Sequence, residues 1–88
     1  MGKKAIALKY DQGKDIAPRL TAKGRSFLAE RIIELARQFN IPIYENSCLT
    51  NELYNLDLGD YIPEDFYIVV ATILAWVYSL DKPMKNKI

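Results

Sequence analysis

The sequence predicts an α/β domain in which a small mixed β-sheet of about three strands is flanked by about three helices. Three observations carry this. Two short apolar segments, AIALKY (5–10) and IPIYE (41–45), are bounded by polar residues, as strands are. Between them, apolar residues recur at helical spacing. Later, the 15 residues FYIVVATILAWVYSL (66–80) carry no charge at all, which suits a helix packed across a sheet.

AIALKY is the first strand. DQGKD then turns the chain, with Gly13 free to take a positive φ. Pro18 disfavours the α region for Ala17 and keeps IAPRL extended, so LTAK (20–23) is a second short strand. From about Gly24, Leu28, Ile32, Leu35 and Phe39 recur at intervals of four, three and four. This predicts an amphipathic helix over 24–39 with that stripe turned inward. Glu30 and Glu34 repel on its surface, and Arg37 lies three residues beyond Glu34 to offset them. Asn40 stops the helix by accepting a left-handed conformation. IPIYE follows as a third strand, parallel to the first because a helix separates them. Asn46 or Ser47 caps a short helix over 47–56 whose Leu49, Leu53 and Leu56 share a face. Gly59 and Pro63 punctuate a second loop, and Pro63 with Glu64 and Asp65 suits the start of a helix over 63–80. As a helix, 66–80 would span only about 22 Å against a hydrocarbon core of roughly 30 Å, so full burial is expected rather than a membrane span. Trp76, Tyr67 and Tyr78 mark its partly exposed positions. The domain is expected over 1–81, with 82–88 a polar tail.

The composition narrows the chemistry. The chain has 88 residues, one Cys and no His. Cys48 therefore has no disulfide partner, and the usual zinc ligand set is missing. Neither Gly13-Lys14-Asp15 nor Lys23-Gly24-Arg25-Ser26 has the spacing of a phosphate-binding P-loop. No base stands near Cys48, and no carboxylate pair stands out, so neither an enzyme nor a cofactor is expected. MGKKAIALKY lacks the apolar run of a signal peptide, and a cytoplasmic location follows as the default. The net charge of +1 hides an uneven layout: residues 1–40 hold nine Lys/Arg against four Asp/Glu, 41–81 hold seven acidic residues and no basic one, and the last seven hold three lysines. Such polarity suits oriented docking. The basic half, with Lys3, Lys4, Lys9, Lys14, Arg19, Lys23 and Arg25, also leaves a small nucleic-acid-binding domain as an alternative function. The few aromatics there and the acidic second half disfavour nucleic acid as a partner.

AIALKYD, APRLTAKGR, AERIIELA, IPIYEN, ELY and IPEDFY leading into ILAWVYSL together resemble the cytoplasmic C-terminal domain of the FlhB family, the export-gate and substrate-specificity-switch proteins of flagellar type III secretion and its virulence relatives. The likeness spans roughly residues 5–80. Members of that family are membrane proteins that cleave themselves between Asn and Pro of an Asn-Pro-Thr-His loop, which would lie just before AIALKY. Met1-Gly2-Lys3-Lys4 stands there instead, so self-cleavage is not expected. The chain is similar to the stand-alone FlhB-like proteins that correspond to the post-cleavage fragment.

The resemblance implies a displayed 11–26 loop and a role in protein export. The implied partners are export substrates, other export-gate cytoplasmic domains and the N-terminal part of full-length FlhB. It implies no direct membrane insertion, only recruitment to a membrane export gate. An apolar patch of Ala17, Pro18, Ala71 and Leu74 is the first candidate contact surface, with plain core packing as the competing reading of Ala71 and Leu74. Lys23, Gly24 and Arg25 form a second candidate. In the family the residues before the cleavage loop add a strand beside AIALKY. Here Ile6, Ala7 and Leu8 are therefore expected to present an unpaired edge, guarded by Lys3, Lys4 and Lys9 or filled by a partner strand.

Overall fold

Small side chains set the centre of the fold. In the computed structural model, which describes residues 2–85, strands β1 (Lys4–Lys9) and β2 (Arg19–Arg25) pair antiparallel. Ala5 lies opposite Gly24 and Ala7 opposite Ala22, so at these two pairs one face of the ladder carries nothing larger than a methyl group. Helix α1 (Phe27–Gln38) crosses that face with Ala29 fully buried. The approach is close: a Cβ at Gly24 would stand 2.7 Å from Leu28 Cβ and 3.1 Å from Ile32 Cδ1.

The opposite face carries the larger groups. Ile6 and Leu8 pack against a buried cluster of Ala17, Leu53, Ile62 and Val70. The register shifts between Ala7 and Leu8, which pairs Leu8 with Leu20 and leaves Thr21 unpaired. This bulge keeps Leu20 facing with Leu8, and Leu20 is fully buried. Helix α2 (Ser47–Leu53) closes the cluster from one side, its Asn46 cap accepting the Leu49 N–H at 3.1 Å. Leu53 is buried and Leu49 and Leu56 pack beside it, the shared face expected from their spacing. A 3₁₀ turn (Glu64–Phe66) leads into α3 (Tyr67–Lys85). The final helix continues beyond its expected end at Leu80, and 86–88 of the expected tail lie outside the described residues.

Several expectations are corrected. The helix expected from Gly24 begins at Phe27 because β2 runs on through Arg25. The helix expected over 47–56 ends at Leu53, and the one expected from 63 opens as a 3₁₀ turn. IPIYE is not a strand, and the sheet among the described residues is a two-stranded antiparallel ladder rather than a mixed one of three. Its residues lack a neighbour to pair with: no backbone hydrogen bond joins 41–45 to β1, and strand propensity without a ladder forms no strand. The α1 stripe is only half covered. Ile32 and Leu35 are partly buried, whereas Leu28 is 58% and Phe39 70% exposed. Two strands are too narrow a floor for the whole helix. For the same reason α3 is not fully buried; Val70 is, but Ile68 is 83% exposed. Glu34 pairs with Arg31 at 3.0 Å rather than with Arg37. Asn40 and Gly13 take the positive φ values expected of them, 58° and 99°.

Candidate functional site

The two edges of the ladder differ. Main-chain groups of β2 that point away from β1 are taken by the loop before α3: Leu20 N–H donates to Asp60 O at 2.9 Å, Gly59 N–H to Leu20 O at 2.7 Å, and Ile62 N–H to Pro18 O at 2.9 Å. On β1, Ser26 N–H donates to Lys3 O at 2.7 Å and the Thr21 hydroxyl to Ala7 O at 3.3 Å. Odd-numbered residues of β1 thus turn their main chain toward β2. Antiparallel alternation then directs the N–H and C=O groups of Lys4, Ile6 and Leu8 outward. Among the described residues these groups have no backbone partner. Of the expected edge residues, Ile6 and Leu8 offer the edge, and Ala7 belongs to the inner ladder.

Ala17, Pro18, Ala71 and Leu74 come together. They line one groove of about 210 Å³ where the β1–β2 loop meets α3, with Tyr10, Ile16 and Tyr67 as its walls. The loop is fixed by its own turn. Lys14 and Asp15 N–H donate to Asp11 O at 3.0 and 2.9 Å, and Asp11 N–H donates back to Asp15 Oδ2 at 2.9 Å. The Asp15 side chain is only 7% exposed and stands 3.4 Å from Arg19 Nε. That Nε makes no hydrogen bond, so the pair is held by charge rather than by a directed bond. Ala17 is buried while Ala71 is exposed, and Leu74 both lines the groove and packs against the core. The groove and the core are thus two sides of the same residues. Tyr10 and Tyr67 were not in the expected patch; their positions flanking the loop and opening the helix were the signal for them.

The second expected surface divides. Lys23 donates from Nζ to Tyr54 O at 3.0 Å and Leu56 O at 2.8 Å, holding the carbonyls of the turn that follows α2. Its ammonium and that of Lys4 both lie 5.1 Å from the Tyr54 ring centre, within cation–π range. Gly24 is buried beneath α1, and Arg25 alone of the three is exposed. With Arg19 beside Asp15, and Arg31 beside Glu34, several of the basic groups in the N-terminal half are engaged within the chain. Farther along, Tyr44 meets Trp76 edge-on, with centroids 5.5 Å apart and an interplanar angle of 65°. That contact fixes the 41–46 connection against α3.

This arrangement has known counterparts. The FlhB HrpN YscU SpaS family model matches residues 3–77. The chain belongs to that family. It is 42% identical over 85 residues to the uncharacterized protein YlqH of Bacillus subtilis, covering 97% of this chain and 91% of YlqH. The flagellar biosynthetic protein FlhB of the same bacterium is 43% identical over 76 residues, and that of Escherichia coli 39% over 79. In both, the match spans 21% of the relative's length. A substituted EscU/SpaS C-terminal domain superposes with a TM-score of 0.84 at 35% identity, covering 88% of this chain and 96% of that one. The PscU C-terminal domain gives 0.80 at 29%, covering 85% and 96%. The fold is therefore that of an FlhB/EscU C-terminal domain, and the chain is a flagellar or type III export domain of FlhB type. Among the described residues, no helix is long and apolar enough to cross a membrane.

Proposed function

We propose that this chain is a non-enzymatic module of a flagellar or type III export apparatus, and that it substitutes for the C-terminal fragment of a full-length FlhB by accepting a strand from that protein's N-terminal part. The observation that carries this reading is the asymmetry of the ladder. The β2 edge is closed by 59–62, and the β1 edge presents Lys4, Ile6 and Leu8 main-chain groups with no backbone partner among the described residues. An edge of this kind takes an added strand through main-chain hydrogen bonds, with side-chain pockets supplying selectivity. The module acts in the cytoplasm and is recruited to the membrane gate through that contact.

The test is the affinity of the purified chain for the segment that precedes the matched region in the Bacillus subtilis FlhB. Association with a Kd of about 1 µM or tighter is the expected result. No association at about 100 µM removes the reading. Binding that instead falls steeply with salt and extends to generic DNA or RNA would favour the nucleic-acid alternative.

A second contact is favoured by the groove. Its apolar lining from Ala17, Pro18, Ala71 and Leu74, walled by Tyr10 and Tyr67, has the character of a site for an apolar anchor of an export substrate. Arg25, exposed at the end of β2, remains available to other gate components.

A further inference from the structure

Resting on the reading of the groove as a contact surface, we propose that Asp15 is its positioning residue: one carboxylate ties the β1–β2 turn to the start of β2 and so holds Tyr10 and Ile16 in place as the groove's outer wall. The two sides of the loop are supported differently. Ala17 is buried in the core cluster, and Pro18 O accepts the Ile62 N–H at 2.9 Å. Arg19, next along, is paired with Lys9 and bridged to Tyr61. The Tyr10–Ile16 side has no such backing. Among the described residues, the backbone hydrogen bonds of 11–15 run within the turn itself, from Lys14 and Asp15 N–H to Asp11 O. The Asp15 side chain supplies the outside tie. Its Oδ2 accepts the Asp11 N–H at 2.9 Å, and its Oδ1 stands 3.4 Å from Arg19 Nε. Exposure alternates along the segment, with 7% for the Asp15 side chain, 79% for Ile16 and 2% for Ala17. With the carboxylate turned in, Ile16 is turned out, at the rim of the groove it lines.

A carboxylate with so little exposure is costly unless it is compensated. Here the compensation is one hydrogen bond and one charge contact. Arg19 Nε is itself buried and makes no hydrogen bond, so the pair has no further bonds in reserve. Removing the charge of either partner leaves the other uncompensated and frees the turn from β2. Binding in the groove requires the closed turn, so the apparent affinity falls in proportion to the closed fraction. A turn closed about one-tenth of the time binds about tenfold more weakly.

The experiment is an NMR titration of the full chain with N-acetylphenylalanine amide, an uncharged apolar probe, read at the methyl groups of Ala71 and Leu74. Saturable shifts at both are expected for the unaltered chain; their absence overturns the groove reading, and the role of Asp15 in it. Asp15→Asn keeps an oxygen for the Asp11 N–H but removes the charge facing Arg19. It is expected to weaken the probe about fivefold, and Asp15→Ala about tenfold. Exchange of the Lys14 and Asp11 amides should quicken by similar factors, while Ala5 and Ala7 in the ladder keep theirs. Denaturant titration confirms that each variant is folded. A lowered midpoint with unchanged affinity would show a merely structural role and overturn the proposal. Arg19→Met should match Asp15→Asn, and Arg19→Lys, which keeps the charge, should stay within about twofold of the unaltered chain. The double variant Asp15→Asn with Arg19→Met should be no weaker than the worse single change, because both remove one contact. Fully additive losses would mean that the two residues act separately, and would overturn the tie between them.

Discussion

The two edges of one short ladder have opposite fates. On the β2 side the chain returns through Gly59–Ile62 and takes up the outward groups of Pro18 and Leu20. On the β1 side no segment pairs among the described residues, and IPIYE, which has the residues of a strand, joins no ladder. The difference teaches that composition decides whether a segment can be a strand, and a neighbour with free main-chain groups in register decides whether it is one. Residues 59–62 are weaker strand formers than 41–45, with Gly, Asp and a following Pro63, yet they are the segment that pairs.

The comparison breaks most severely if the support common to both edges is removed. Leu53 is fully buried at the heart of the cluster that holds Ile6, Leu8 and the 59–62 loop in place. Leu53→Ala is expected to cost about 3–4 kcal/mol, a large share of the stability of so small a domain. Denaturant titration should show the midpoint fall sharply, whereas Ile68→Ala, at the exposed side of α3, should leave it nearly unmoved. A more selective change attacks the closed edge alone. Gly59 holds φ at 92° and donates to Leu20 O, and a Cβ there would meet nothing within 4 Å. Gly59→Ala therefore carries only the conformational penalty, about 1–2 kcal/mol. It should speed exchange of the Leu20 amide, which donates to Asp60 O, while Ala5 and Ala7 in the inner ladder keep theirs. Equal acceleration at all three would mean that the loop and ladder open as one unit and that the closed edge is not separable.

The same contrast explains what was legible in the sequence. The Leu49–Leu53–Leu56 face, the Asn46 cap, the Asn40 stop and the Gly13 turn are local, set by spacing or by one residue's conformational freedom, and all are found. The motif set from AIALKY to ILAWVYSL also carried the family. What failed depended on distant neighbours. The inward stripe of α1 and the full burial of α3 both presupposed a wider sheet, and IPIYE as a strand presupposed a pairing partner; with two strands, Leu28, Phe39 and Ile68 are left in solvent. At the candidate sites, Ala17, Pro18, Ala71 and Leu74 do meet in one groove. The engagement of Lys23 with the Tyr54 and Leu56 carbonyls was not legible, because a pairing across more than thirty residues leaves no trace in local spacing.

The smallest expected effect tests what holds the bulge between the two edges. Thr21 is the residue left unpaired where the register shifts, and its hydroxyl donates to Ala7 O at 3.3 Å in an exposed setting. Thr21→Val keeps the β-branched shape and removes the donor. Water can replace the lost bond at the exposed carbonyl, so the change should stay within about 0.5 kcal/mol. If the bulge is instead maintained by burial of Leu20 opposite Leu8, the valine variant keeps the register, and Ile6 and Leu8 still exchange faster than Ala5 and Ala7. A loss near 2 kcal/mol, or a reversal of that exchange pattern, would show the hydroxyl fixing the register. The outward direction of the β1 edge would then depend on one side chain of β2 rather than on the core beneath it.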